Sequence, residues 1–284
     1  MNQRLEKLEV ENRALRAELG RMQAPAAAGS GFVVELLGVP RAARIAVDGS
    51  RGEVAIRLRR AWRGLALLAL APAQRVGRDE LIRTLWPDAD PARVRRNLPP
   101  TIYVLRRGLG DLGGWTPIEA RGNVYTLSPH VAWNVDALEF EREIERGRIA
   151  ERAGDPGTAG EHWARALALC RGQFLEGDDD PWVEEQRERF GRRRLELLRL
   201  LGDLHLRQGE LEPALDAYRL SLAEEPLQEE LHRVLLQIYA RQGRRDLVRR
   251  HFDRFSRLLA EDLGVEPGLE ITLEYHRLMA AAER

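Results

Sequence analysis

The sequence predicts a mainly α protein with a small β part: a coiled-coil helix, then three helices closed by a β-hairpin, then α-helical repeats. Three observations carry this. Residues 1–24 hold a heptad pattern, residues 65–127 run through helical periods and proline stops to a glycine-centred hairpin, and the chain beyond 134 repeats every 34 residues. The domains read as a dimerisation helix over 1–24, a flexible linker over 25–31, a strand-helix-hairpin unit over 32–130 and a repeat unit over 134–284.

In the first segment Leu5, Asn12 and Leu19 occupy a positions, and Leu8, Leu15 and Met22 occupy d. One Asn among apolar core positions favours a parallel dimer in fixed register, because its amide is satisfied only against another Asn. Arg4 with Glu9 and Glu11 with Arg16 would pair g to e across that dimer. Three heptads are marginal, so a solitary frayed helix or a fusion remnant is the competing reading. The linker Pro25 to Gly31 spans roughly 15 Å as a flexible coil, which lets two tethered units sit about 34–36 Å apart.

From Phe32 to Leu58 the helical period disappears. Val33 to Leu37, Arg44 to Val47 and Glu53 to Ile56 are short strand candidates bounded by Gly38, Pro40, Gly49 and Gly52, and they predict a small antiparallel sheet with a structural role.

The next helix carries Leu65 to Leu70 and stops at Pro72, which has no N–H to continue the ladder. A second follows Gly77, with Asp79 and Glu80 in its first turn and Leu81, Ile82, Leu85 and Trp86 facing inward up to Pro87. The third opens on Pro99-Pro100 and buries Ile102, Leu105 and Leu109. Proline at the first helical position costs little, since that N–H would be orphaned anyway; residues before it are expected to be extended.

At about 100° per residue, Pro100, Tyr103, Val104 and Arg107 point outward on that helix, flanked by Thr101 and Arg106. Arg for guanine edges or phosphates, beside apolar groups for thymine methyls, is the mixture a helix in a DNA major groove needs. The hairpin runs from Ile118 to Ala120 and Val124 to Leu127 around Arg121-Gly122-Asn123, with Gly and Asn supplying positive φ. Arg121 and Asn123 at its tip are candidates for the minor groove or backbone. Arg93, Arg95 and Arg96 either touch phosphates or solvate a loop. Trp62, Trp86 and Trp115 read as packing residues.

Charge divides with the modules. Net charge is zero over 284 residues, yet residues 36–133 hold 16 basic against 8 acidic side chains and residues 134–284 hold 24 against 32. Only the first is drawn to a polyanion such as double-stranded DNA. One cysteine, Cys170, excludes an intramolecular disulfide and fits a reducing compartment. The apolar run Gly64 to Ala71 is far short of the roughly 20 residues a membrane helix needs, and no signal peptide is visible, so the expectation is a cytoplasmic protein without membrane contact.

Beyond Val135, Leu198, Leu201, Gly202, Ala214, Tyr218 and Pro226 take tetratricopeptide spacings, and His232, Leu235, Leu236, Val248 and Phe252 repeat them less strictly. An earlier pair, Ala137 to Ala153 and Gly157 to Arg171, contributes Trp163 and Ala166. Such helix pairs stack into binding surfaces.

Leu65 to Pro72, Arg78 to Ile82, Leu85-Trp86-Pro87, Leu105 to Gly110 and Val124 to Leu127, in this order, resemble the OmpR-type winged helix-turn-helix. Phe174 to Trp182 and Leu263-Gly264-Val265-Glu266-Pro267 resemble signatures of the bacterial transcriptional activator domain. Together they resemble the Streptomyces antibiotic regulatory protein (SARP) family. That resemblance implies a DNA-reading helix at Pro100 to Leu109, a wing at Ile118 to Leu127 and a polymerase-facing loop near Asp88 to Leu98. It further implies an activator that binds promoter repeats and contacts RNA polymerase.

Catalysis is not expected. Lys7 is the single lysine, which leaves no P-loop or Schiff-base lysine, and the six histidines have no zinc-binding spacing. Cys170 sits in a helical pattern and reads as buried. Asp178 to Asp180 lack the calcium-loop pattern and read as helix capping or solvation, so no metal or other cofactor is expected. Arg192 to Arg194 read as a solvated helix face. The rival to a regulator is a repeat-based adaptor whose winged helix docks protein.

Overall fold

The computed structural model describes residues 31–46, 48–90, 94–110 and 116–280. The proposed coiled-coil positions Leu5, Leu8, Asn12, Leu15, Leu19 and Met22, the linker up to Ser30, and Arg93 and Trp115 lie outside the described residues. The chain forms two compact units, one running through Arg142 and taking in Leu169–Glu188, the other made of Glu143–Ala168 and everything from Arg189.

In the first unit, β1 (Gly31–Glu35), β2 (Arg41–Ile45) and β3 (Arg51–Glu53) form an antiparallel meander. The sheet is not purely antiparallel, as the sequence led us to expect, because β7 (Ala132–Val135) joins β1 in parallel and gives the order β3-β2-β1-β7. Residues read as the border between domains therefore complete the first sheet. Phe32 stacks on Trp133 across that pair, 4.7 Å between ring centroids.

Helix α1 (Arg59–Leu70) ends where Pro72 forbids another turn. Its buried face packs on α2 (Arg78–Leu85) and α3 (Leu98–Leu109). Gly64 faces this contact, where a Cβ would meet Leu105 Cδ1 at 3.4 Å, an ordinary van der Waals distance. Trp62 and Trp86 are buried as expected, and the Trp62 indole N–H donates to the Ile56 carbonyl at 2.9 Å.

Helix α3 starts one turn-third earlier than its sequence indicated, at Leu98, with both prolines inside the first turn. Those N–H groups would have no intrahelical acceptor, so their absence costs no hydrogen bond. The residues before it are not extended either: Asn97 is in the right-handed helical region, and its N–H donates to the Val94 carbonyl at 2.8 Å.

A second sheet, ordered β4-β6-β5, consists of β4 (Arg75–Gly77), β5 (Ile118–Arg121) and β6 (Val124–Leu127). Arg121 pairs with Val124, so the loop is Gly122-Asn123. Only Gly122 has positive φ, 58°, which corrects the expectation for Asn123 and matches the glycine-first order of a II′ turn.

The second unit stacks antiparallel helices. The latter part of α4 (Asp136–Arg152) and α5 (Pro156–Leu169) pair through Gly147 and Trp163. The latter part of α6 (Pro181–Gln208) and α7 (Leu211–Glu224) pair through Gly202 and Tyr218. In both pairs a hydrogen-sized residue sits under a fully buried aromatic ring. Helix α8 (Glu229–Arg241) places Leu236 at the equivalent position and α9 (Arg245–Asp262) places Phe252 there. Phe252 instead stacks on Tyr275 of α10 (Leu269–Ala280), 4.2 Å apart. Glu143, buried beneath α5, meets His162 at 2.8 Å, Arg165 at 3.0 Å and Arg146. Burial alone would push its carboxyl up; these partners outweigh burial and hold it at about 2.

Candidate nucleic-acid interface

Helix α3 presents the surface that its period called for. Tyr103 is 62% exposed, Arg107 and Pro100 are exposed, and Val104 is half-buried beside them. Tyr103 thus leaves most of its ring in water at mid-helix, and Arg107 makes no ion pair among the described residues. Both remain available to a ligand.

Two flanking candidates are corrected by their bonds. Thr101 is 5% exposed, and its hydroxyl donates to the Asn97 carbonyl at 3.0 Å, so it closes the first turn of α3 and cannot reach a base edge. Arg106 is half-buried and donates from Nε to the Ile118 carbonyl at 2.9 Å. It ties the helix to the first hairpin strand.

At the hairpin tip Arg121 and Asn123 are exposed, and Arg121 is held by Glu119 at 3.1 Å. The Asn123 carbonyl accepts from the Arg78 N–H at 2.7 Å, which anchors the tip to the start of α2. Arg95 and Arg96 are also exposed; Arg95 lies 3.9 Å from Asp79, a weak pair between solvated groups. Arg75 escaped the sequence reading because three residues carry no detectable strand period. It is exposed on β4, whose partner β6 is a hairpin strand, so it adds a cation to that sheet. What the arrangement offers is a ridge of Tyr103, Val104 and Arg107 with arginines on neighbouring elements, suited to a duplex groove and its phosphates.

Residues from the repeat half of the sequence brace the first unit. Gly38 donates to the Gln173 carbonyl at 2.9 Å and Leu175 to the Leu36 carbonyl at 2.8 Å, adding a short stretch to the edge of the meander. Arg63 of α1 donates to Asp178 at 2.8 Å and also pairs with Asp180. Asp180 caps α6 by accepting from the Trp182 N–H at 3.1 Å. Capping is thus right for part of the acidic trio, whereas solvation is wrong for Asp178, which is 6% exposed and ion-paired. Asp136 is the other buried brace, accepting from Leu36, Leu37 and Ala137 N–H groups and from Arg171. Burial pushes its carboxyl up, against the pull of the Leu36 and Leu37 N–H groups and Arg171. Neither Arg63 nor Asp136 stands out in the sequence, because the partners lie about 100 residues away.

Cys170 lies just past the end of α5 and is half-buried, rather than buried within a helix. Arg193 and Arg194 pair with Glu196 and Glu224, so the run Arg192 to Arg194 is more than a solvated face. No helix among the described residues is long and apolar enough to cross a membrane.

The family model for the bacterial transcriptional activator domain matches residues 135–279. The chain is 30% identical over 217 residues to the regulatory protein AfsR of Streptomyces coelicolor, covering 72% of this chain and 20% of AfsR. This chain therefore spans about a fifth of that relative. It is 26% identical over 226 residues to the regulatory protein DnrI of Streptomyces peucetius, covering 76% of this chain and 82% of DnrI. Among solved structures, Mycobacterium tuberculosis EmbR in complex with a low-affinity phosphopeptide superposes with a TM-score of 0.72 at 23% identity, over 89% of this chain and 66% of that one. With half of its length matched by the family model and a winged helix preceding that match, the chain belongs to the bacterial transcriptional activator domain family, in its SARP-like form.

Proposed function

We propose that this chain is a sequence-specific, DNA-binding transcriptional regulator, an activator that reads promoter repeats with α3 and contacts RNA polymerase. The observation that carries the reading is the ridge of exposed Tyr103 and Arg107 with half-buried Val104 beside them, on a helix whose other face is core. The names of the relatives AfsR and DnrI, both regulatory proteins, support it. Arg107 would read a base edge. Arg75, Arg95, Arg96, Arg121 and Asn123 would set position against phosphates or the minor groove.

Replacing Arg107 by alanine should weaken binding to a selected promoter fragment by roughly ten- to a hundredfold, the worth of one good base contact, and relax preference at one base pair. Arg96→Ala should weaken all sequences alike and lower the log–log salt slope by about 1. Arg106→Ala, by contrast, should lower stability by about 1 kcal/mol through the lost bond to Ile118. Fluorescence anisotropy across a salt series checks the first two, and urea unfolding checks the third. Unchanged affinity in Arg107→Ala, or a salt slope near zero in the parent, means that the winged helix docks something other than DNA.

We further propose that the heptads over 1–24 pair two copies in parallel. Asn12→Ile should then tighten association while broadening its stoichiometry, as followed by sedimentation equilibrium; a parent protein monomeric at micromolar concentration excludes the pairing.

A further inference from the structure

The second unit holds a cavity of about 660 Å³ between α7, α8 and α9, unconnected with any residue assigned above to DNA. Its volume is that of a small-molecule site. Leu222, Leu258 and Phe255 give it an apolar wall. Arg219, Arg254 and Arg257 give it three guanidinium groups against a single carboxylate, Glu261.

The state of these cations decides what the cavity can take. Arg219 is steered by Tyr239, whose hydroxyl accepts from its Nη2 at 3.3 Å, and Asp216 lies 3.5 Å away. Arg254 makes no ion pair among the described residues, and the Arg257 Nε donates to the Asp253 carbonyl at 3.3 Å, leaving its charge unbalanced. Two histidines also face the cavity, and they add no charge. The Pro226 carbonyl accepts from His232 Nε2 at 2.8 Å, so that nitrogen carries the proton and Nδ1 is the acceptor for His251 Nε2, 2.9 Å away. Burial, aided for His251 by its neighbours His232, Arg254 and Arg219, holds both rings below the usual histidine range, His251 at about 4. At neutral pH the pair is uncharged, and the surplus positive charge belongs to arginine.

An apolar wall with unbalanced guanidinium groups matches one ligand chemistry: an anionic head on an apolar body. The planar fork of arginine suits a carboxylate, and the apolar side chains beside it suit the body that carries the head. We propose that this cavity is a binding site for a small amphipathic carboxylate, an acyl or aryl acid, held by Arg219, Arg254 and Arg257 with its apolar part against Leu222, Leu258 and Phe255. A site of this kind would give the second unit an input separate from the DNA surface, and it stands whether or not the DNA reading does.

Decanoate, kept below its micellar concentration and titrated into the full chain by calorimetry at neutral pH, is the test. Saturable binding of one decanoate per chain is expected, with decanol weaker by at least roughly tenfold, the worth of one charge-assisted bond. Arg254→Gln combined with Arg257→Gln should remove that advantage while leaving the thermal midpoint in place, since both side chains are exposed. Decanol binding as tightly as decanoate, or the double variant retaining full decanoate affinity, overturns the proposal. So does decanoate uptake without saturation or at many equivalents per chain.

Discussion

Asp136→Ala is expected to destabilise the first unit by about 3–5 kcal/mol, chiefly through the buried backbone donors it leaves without an acceptor. The reason is not a strong ion pair. Burial pushes the Asp136 carboxyl up despite its partners, so the ionised form is held at a net cost, and Arg171 is 43% exposed and free to return to water. What alanine strands are the backbone N–H groups of Leu36, Leu37 and Ala137, each worth about 1–3 kcal/mol when buried without an acceptor. Asparagine separates the two explanations. The Oδ1 atom of Asp136 accepts from Leu36 and Ala137, both at 2.7 Å, whereas Oδ2 accepts from Leu37 and Arg171. An amide oxygen in the Oδ1 position preserves the first pair, so Asp136→Asn should lose roughly half as much as alanine. Urea unfolding followed by circular dichroism gives both values. Equal losses for the two variants, or less than about 1 kcal/mol for alanine, would show that water replaces the carboxylate and that the brace is dispensable.

Asp136 also marks where sequence reasoning ran out. Periodicity exposed α1, α2 and α3 because their apolar residues recur locally and prolines or glycine stop them; Tyr103 and Arg107 fell on the outer face for the same reason. Angular position could not see what a flanking side chain would bond to. Thr101 was captured by the Asn97 carbonyl four residues back, and Arg106 by the Ile118 carbonyl across a loop. Strand β4 is three residues long, and its only warrant is pairing with β6, a relation 50 residues distant. The acidic run Asp178 to Asp180 looked like solvent-facing charge because its cation, Arg63, lies 115 residues earlier. Local pattern predicts faces; burial of polar groups depends on partners the local pattern does not contain.

Gly147→Val should cost the second unit about 3 kcal/mol or more, the upper end for overpacking. Two effects of opposite sign meet at this residue. Glycine inside a helix is unfavourable by about 0.5–1 kcal/mol relative to alanine, so adding a side chain ought to help. Against that, a Cβ on Gly147 would lie 2.2 Å from Trp163 Nε1 and 2.4 Å from its Cδ1. The indole is fully buried and donates to the Ile144 carbonyl at 3.3 Å, so it has nowhere to swing and would lose that bond on moving. Overpacking therefore wins, and valine adds two methyl groups to the collision. Gly191, mid-way along α6, supplies the control: a Cβ there meets nothing within 4 Å, so only the helix term acts. Gly191→Ala should raise stability by about 0.5–1 kcal/mol. Thermal melts should thus move in opposite directions for the two glycines, by roughly 2–4 °C for each kcal/mol. A Gly147→Val protein as stable as the parent would mean that α4 and α5 are not held at glycine distance, and the small-residue logic shared with Gly202 and Tyr218 would fail with it.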